Sequence, residues 1–138
     1  METTVTKYVI DACSLIAYLR GEEGEEKFRA LLKSQRTERF IHAVNLGEVY
    51  YDSIRYAGLS EARNLIDEIL RLPITVVWEL DMPFLEKVGH YKTAYRVSYA
   101  DCFVLALAEQ EQAMVVSTDH HEFDAVDNAK VLNFYWLR

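Results

Sequence analysis

Short apolar runs alternate with longer stretches of helical periodicity along the chain. Tyr8-Val9-Ile10 is an apolar run that stops at Asp11. A run this short, without polar alternation, predicts a strand buried on both faces. A helix is expected over about Ser14–Arg20, with Leu15, Ile16 and Leu19 on one face and Gly21 and Gly24 at its end. Glu25–Ser34 predicts a second helix with Phe28, Leu31 and Leu32 inward. Phe40-Ile41-His42-Ala43 predicts a second strand. Leu46, Val49, Tyr50, Ser53, Ile54 and Ala57 then recur at helical spacing, and Gly58 closes that helix. Ser60 with Arg63-Asn64 opens the next, whose stripe runs Ala62, Leu65, Ile66, Ile69, Leu70 until Pro73 stops it. Thr75–Trp78 reads as a third strand, Met82–Tyr95 and Ala100–Gln112 as helices, and Met114–Ser117 and Val131–Phe134 as the fourth and fifth strands.

Strands alternating with helices predict an α/β fold, a central parallel sheet of about five strands covered on both faces and joined by right-handed crossovers. The 138 residues suit one domain spanning 1–138. No repeat, linker or low-complexity segment interrupts them.

Open parallel sheets place their sites at the carboxyl ends of the strands. Asp11 ends the first strand, Glu48 lies early in the helix after the second, Asp101 opens an apolar helix, and Asp119 follows the fourth strand. Each has a structural alternative. Asp11 and Asp119 are placed to cap helices, and Ser98…Asp101 and Asn45…Glu48 have the spacing of capping boxes. Glu48 also lies opposite the apolar stripe of its own helix, so it reaches a site only if the rim of the sheet lies on that side. If the four acids do share one rim, the chemistry is narrow. Crowded carboxylates take up protons unless cations join them. Oxygen ligands favour Mg²⁺ or Mn²⁺, and metals so held activate water and clamp a phosphate.

Charge and composition trim the alternatives. The formal net charge of −7 argues against a coat for nucleic acid, which would be basic, but not against a metal-dependent nuclease. It also suits a basic protein partner. No apolar run approaches the ~20 residues of a membrane helix, and Met1–Lys7 is polar with no apolar signal core, so a cytoplasmic protein is expected. Cys13 and Cys102, the only cysteines, form neither a zinc set nor a disulfide framework; both read as small apolar fillers.

The segment Val9-Ile10-Asp11-Ala12-Cys13-Ser14-Leu15-Ile16 resembles the opening motif of PIN-domain nucleases. Asn45-Leu46-Gly47-Glu48-Val49-Tyr50-Tyr51 resembles their second motif, Ser98-Tyr99-Ala100-Asp101-Cys102-Phe103 their third, and Ser117-Thr118-Asp119 through Phe123 their fourth. The order and spacing span nearly the whole chain and look most like the VapC-type toxins of toxin–antitoxin pairs. The resemblance implies a three-layer α/β/α sandwich with strand order 3-2-1-4-5 and Mg²⁺- or Mn²⁺-dependent cleavage of RNA. It implies Asp11, Asp101 and Asp119 as metal ligands, with Glu48 joining them in catalysis. It also implies a homodimer inhibited by a cognate antitoxin. One position departs: members often carry Ser, Thr or Asn two residues after the first acid, where this chain has Cys13, with Ser14 adjacent.

Other residues have plainer readings. His120 and His121 suit a solvated turn better than a metal site. Lys92 and Arg96 are candidate phosphate contacts on an otherwise ordinary charged helix face. Tyr50, Tyr51, Tyr56 and Phe134-Tyr135-Trp136 suit core packing, with an interface as the alternative. Two rival functions stand beside the nuclease: a catalytically silent PIN-fold module that binds RNA or protein, and a phosphate-accepting receiver of the flavodoxin-like class. The second ordinarily carries a Lys after its last strand, which Tyr135-Trp136-Leu137-Arg138 lacks. A structural-DNA nuclease would need DNA-gripping elements for which this chain has little room.

Overall fold

The computed structural model describes residues 4–138. The polar opening at Met1, Glu2 and Thr3 lies outside the described residues. Five parallel strands form one sheet in the order β3-β2-β1-β4-β5. They are β1 (Thr6–Ile10), β2 (Thr37–His42), β3 (Thr75–Val77), β4 (Met114–Ser117) and β5 (Phe134–Trp136). Between them run α1 (Ala12–Leu19), α2 (Glu25–Lys33), α3 (Ala43–Ala57), α4 (Leu59–Leu70), α5 (Met82–Ala94), α6 (Tyr99–Glu111) and α7 (His120–Asn128). The expected α/β/α sandwich and its strand order are both present.

Alternation along the central strands builds the layers. Val9 and Val115 face one side of the sheet, where they pack with α5, α6 and α7 through Phe84, Val88, Phe103 and Phe123. Their neighbours Ile10 and Val116 face the other side, against α1 to α4 through Leu15, Phe28, Val49 and Ile69. Adjacent residues on opposite faces are the period-2 consequence of a pleated strand. Both faces are covered, which is why the strands lack polar alternation. The helix α6 is apolar all round because every residue from Cys102 to Ala108 is buried between the sheet and its neighbours.

Several boundaries differ from the sequence expectation. The fifth strand is not Val131–Phe134 but Phe134–Trp136: Lys130 turns the chain at positive φ, Val131 is exposed, and pairing begins only at Phe134 opposite Val115. The aromatic triplet is therefore strand, half-buried. Helix α3 begins at Ala43, not Leu46, because the His42 ring caps it, Nδ1 accepting from the Val44 N–H at 3.1 Å. Ala43 is thus lost to the second strand, and Asn45 sits inside the helix rather than at its cap. Strand β2 also extends back to Thr37 through residues too polar to read as strand.

The chain end closes the second core. Leu137 is buried and its N–H donates to the Ser117 carbonyl at 3.1 Å. It presses on Gly24, which holds φ at +102° between α1 and α2. A Cβ there would meet Leu137 Cβ at 3.0 Å and its carbonyl oxygen at 3.2 Å. Gly24→Ala combines left-handed strain with this contact, a cost of about 1–2 kcal/mol. Its melting temperature should fall by roughly 3–8 °C; an unchanged melt by calorimetry would show that the contact carries no constraint.

Candidate active site

The chain builds β1, β2 and β3 outward in one direction, then returns to place β4 and β5 on the other side of β1. The two connections leaving β1 and β4 therefore diverge, and a crevice opens at the carboxyl ends of these strands. Asp11 follows β1 immediately, and Ser117 and Asp119 stand at the end of β4.

Asp11 is 1% exposed, and both of its oxygens are engaged. Oδ1 accepts the Ser14 N–H at 2.8 Å, which caps α1. Oδ2 accepts the Ser117 hydroxyl at 2.5 Å, across from β4. Ser14 Oγ in turn donates to the Val116 carbonyl at 3.0 Å, so α1 is stitched to β4 on both sides of the carboxylate. Burial pushes the Asp11 carboxyl up to about 6; the hydrogen bonds from Ser117 and Ser14 oppose that rise, and the Asp119 charge adds to it.

The Ser117 hydroxyl also accepts the Asp119 N–H at 2.9 Å, which ties the two acids through one side chain. Asp119 Oδ1 accepts the Glu122 N–H at 3.1 Å and caps α7. Its Oδ2 faces Cys13 Sγ at 3.9 Å. Cys13 is an exposed residue whose thiol stands among the acids and not in the apolar core, where Cys102 is buried. Desolvation, with the charges of Asp11, Asp119, Asp101 and Glu48, pushes the Cys13 thiol up to about 12. The filler reading holds for Cys102 and fails for Cys13.

Asp101 and Glu48 come from the remaining two elements. Ser98 caps α6, accepting the Asp101 N–H at 3.3 Å and donating its hydroxyl to Asp101 Oδ2 at 2.8 Å. Burial drives the Asp101 carboxyl up to about 7, against the Ser98 hydrogen bond and with added repulsion from Asp11, Glu48 and Glu122. Glu48 is half-buried and faces this rim. Asn45, fully buried one turn earlier, donates through Nδ2 to Glu48 Oε1 at 3.2 Å and to the Ala100 carbonyl at 2.9 Å, fixing α3 to the start of α6. Burial raises the Glu48 pKa; the Asn45 hydrogen bond lowers it and Glu122 raises it.

Asp11 and Asp119 are therefore helix caps, and Asp101 a first-turn residue bonded to a cap, and all three are neighbours in one charged crevice at once. The two roles do not compete, because a cap residue already sits where a strand end meets a helix start. No Lys or Arg is among the groups that shift Asp11, Glu48 or Asp101. Among the described residues, no three acid, thiol or imidazole groups already converge at metal-binding distance. The set consists of hard oxygen donors, with burial and neighbouring carboxylates raising the proton affinity of Asp11, Glu48 and Asp101, and this donor chemistry fits a divalent cation such as Mg²⁺ or Mn²⁺.

A family model, the PIN domain, matches residues 8–129. The chain belongs to the PIN domain family. Its fold is similar to that of a toxin–antitoxin complex chain from Klebsiella pneumoniae, at TM-score 0.65 and 14% identity, covering 86% of this chain and 92% of that one. It is similar to a chain of VapBC-1 from nontypeable Haemophilus influenzae, at TM-score 0.72 and 11% identity, covering 96% and 98%. It also resembles the sarcin–ricin loop cleaving toxin VapC20 of Mycobacterium tuberculosis, at TM-score 0.68 and 15% identity, covering 86% and 94%. No curated protein matches the chain in sequence. The PIN sheet order 3-2-1-4-5 differs from the 2-1-3-4-5 order of flavodoxin-like receivers.

Three polar residues around the crevice escaped the sequence reading of function. Asn45 carried a signal, a polar side chain on the buried side of α3 beside Leu46 and Val49. Ser117 had only its place before Asp119. Glu122 lies three residues after Asp119, whose carboxylate its N–H meets; its Oε2 also accepts the Ser98 N–H at 3.1 Å, joining α7 to α6. The two histidines need no ligand role. His120 stacks on Trp136 at 3.7 Å and is hydrogen-bonded to Asp124 and the Arg138 carbonyl, and His121 is exposed.

The raised Asp11 pKa has a pH consequence. A folded-state pKa above the unfolded value means the native state binds the proton more tightly, so stability falls as pH rises from about 4 through about 6. Asp11→Asn removes this loss. In the absence of divalent cations, the variant should gain on the wild type by about 3 kcal/mol between pH 4 and pH 8. Melting curves across that range test it; a gap that does not change with pH would contradict it.

Proposed function

We propose that this PIN-domain protein is a metal-dependent endoribonuclease, hydrolysing RNA phosphodiester bonds, and the toxin of a toxin–antitoxin pair. The observation that carries the reading is the crevice at β1 and β4, where acids from four elements gather and, among the described residues, no Lys or Arg is one of the groups that shift Asp11, Glu48 or Asp101. Asp11, Asp101 and Asp119 would hold Mg²⁺ or Mn²⁺. The bound cation supplies a lowered water pKa and a counter-charge for the phosphate. Asp11 is fixed through both oxygens and sets the position of the group, with Ser14 and Ser117 preventing its rotation. Asp101 is held by Ser98, the cap of its own helix α6. Glu48, with Oε1 on Asn45, keeps Oε2 to orient an attacking water and accept its proton. A carboxylate whose proton affinity is raised by burial is suited to that step.

The toxin assignment is supported by the fold shared with chains of toxin–antitoxin complexes. It brings an antitoxin partner, a homodimer and a cytoplasmic location. Among the described residues no helix is long and apolar enough to cross a membrane.

Freed of any antitoxin, the purified protein should cut RNA only with Mg²⁺ or Mn²⁺ and stop on chelation. Glu48→Gln should slow cleavage by about 10²–10⁴-fold, and Asp11→Asn or Asp101→Asn should bring it to background. Folded wild-type protein that leaves RNA intact would favour the silent binding module. Cleavage that persists under chelation would remove the metal from the mechanism.

A further inference from the structure

The acidic crevice poses a problem for a polyanionic substrate. A cation held by the acids would neutralise the scissile phosphate, but the flanking phosphates would meet a chain of net charge −7. They need cations placed beside the crevice. Most of the basic side chains are committed or remote. Arg20 and Arg55 share Asp52, while Lys7, Arg29 and Arg138 each pair with a glutamate. Lys33, Arg36, Arg71 and Lys130 sit in segments that lead into the amino ends of strands, on the opposite edge of the sheet.

Lys27 and Arg39 are spent on backbone carbonyls, and Arg63 and Lys87 lie along α4 and α5. The turn from α5 to α6 instead carries two cations next to the start of the helix that bears Asp101. Residues Lys92 to Ser98 line an open depression of about 600 Å³. Ser98, one of its lining residues, is also the residue whose hydroxyl bonds Asp101, so the depression adjoins the acidic set. Lys92 Nζ donates to the Val97 carbonyl at 2.8 Å, which pins the turn and keeps its ammonium on the wall. Arg96 is exposed and makes no ion pair among the described residues. Tyr99, the next residue after Ser98, is 56% exposed, its ring propped edge-on against Phe103 at 5.2 Å. Cations to take phosphates and an exposed ring to take a base, in sequence along one turn, form the pattern that holds a single strand of nucleic acid.

We infer that the α5–α6 turn is the landing surface for the RNA strand beside the cleavage site, with Arg96 on a flanking phosphate and Tyr99 stacked against an unpaired base. This rests on the ribonuclease reading for its substrate. None of its residues belongs to the acidic set.

The test is Mn²⁺-dependent cleavage of a fluorescent single-stranded RNA oligonucleotide by wild type, Arg96→Ala, Arg96→Glu and Tyr99→Ala, with Lys33→Ala as the remote control. All the altered side chains are exposed, so unchanged melting curves establish folding. Arg96→Ala should raise KM about 5- to 20-fold, leave kcat in place, and flatten the salt dependence by about 0.7 in the log–log slope, the value of one single-strand phosphate contact. Tyr99→Ala should raise KM by about 5-fold or more without changing that slope. A fully paired duplex of the same sequence should gain nothing from Tyr99. An unchanged KM and salt slope in Arg96→Glu, or an equal effect in Lys33→Ala, would overturn the proposal. If wild type cleaves nothing, the ribonuclease reading fails separately, and anisotropy with the same oligonucleotide decides the surface. Binding lost in Arg96→Glu sustains it; equal binding, or none by wild type, refutes it.

Discussion

The carboxylate of Asp11 is held between two strands of a parallel sheet at the point where the chain reverses its order of building. Ser14 grips it from the helix that follows β1 and Ser117 from the end of β4, with hydrogen bonds of 2.8 and 2.5 Å. Asp119 and α1 are registered on that clamp. Ser117 also holds the Asp119 N–H, and Ser14 ties α1 to the Val116 carbonyl. The crevice follows from topology, since any open sheet of this order separates its connections there. The clamp places a charge in it.

Burying that charge is unfavourable, and the neighbours make it more so. Asp101 and Asp11 repel each other, Glu122 repels both Asp101 and Glu48, and no guanidinium or ammonium relieves them. A fold that required only helix caps could have used Ser or Asn at these positions without electrostatic cost. The concentration of acids is therefore a local loss of stability at a site, the kind of conflict expected where function is carried. Asn45 and Ser98 limit the damage by giving Glu48 and Asp101 one hydrogen bond each. Asn45 also links α3 to α6 through the Ala100 carbonyl, and the two bonds set where each carboxylate points.

Much of this was legible in the chain. Tyr8-Val9-Ile10 and Met114-Val115-Val116 announced central strands because burial on both faces removes polar alternation. The four motif acids were readable because each sits beside a strand end or helix start, where spacing is informative. What was not legible depends on tertiary contact. The fifth strand was displaced because Val131 looks like strand but follows the Lys130 turn unpaired, whereas Phe134-Tyr135-Trp136 pairs with β4. The inward aim of Glu48 could not follow from periodicity, because it is the rim, not the core, that half-buries it. Asn45 resembled a cap in sequence, but His42 had taken that place. Cys13 looked like filler until α1 was placed beside Asp119.

The central claim is that this arrangement of acids is built around a divalent cation. Equilibrium Mn²⁺ binding, read as loss of the free-ion electron paramagnetic resonance signal, tests it without RNA and without catalysis. The wild-type protein should bind Mn²⁺ at near neutral pH and lose it as the pH falls below about 6, where Asp11 and Asp101 take up protons. Asp11→Asn and Asp101→Asn should each abolish that binding while remaining folded. Undiminished Mn²⁺ binding by both variants, or none by the folded wild-type protein, would contradict the account.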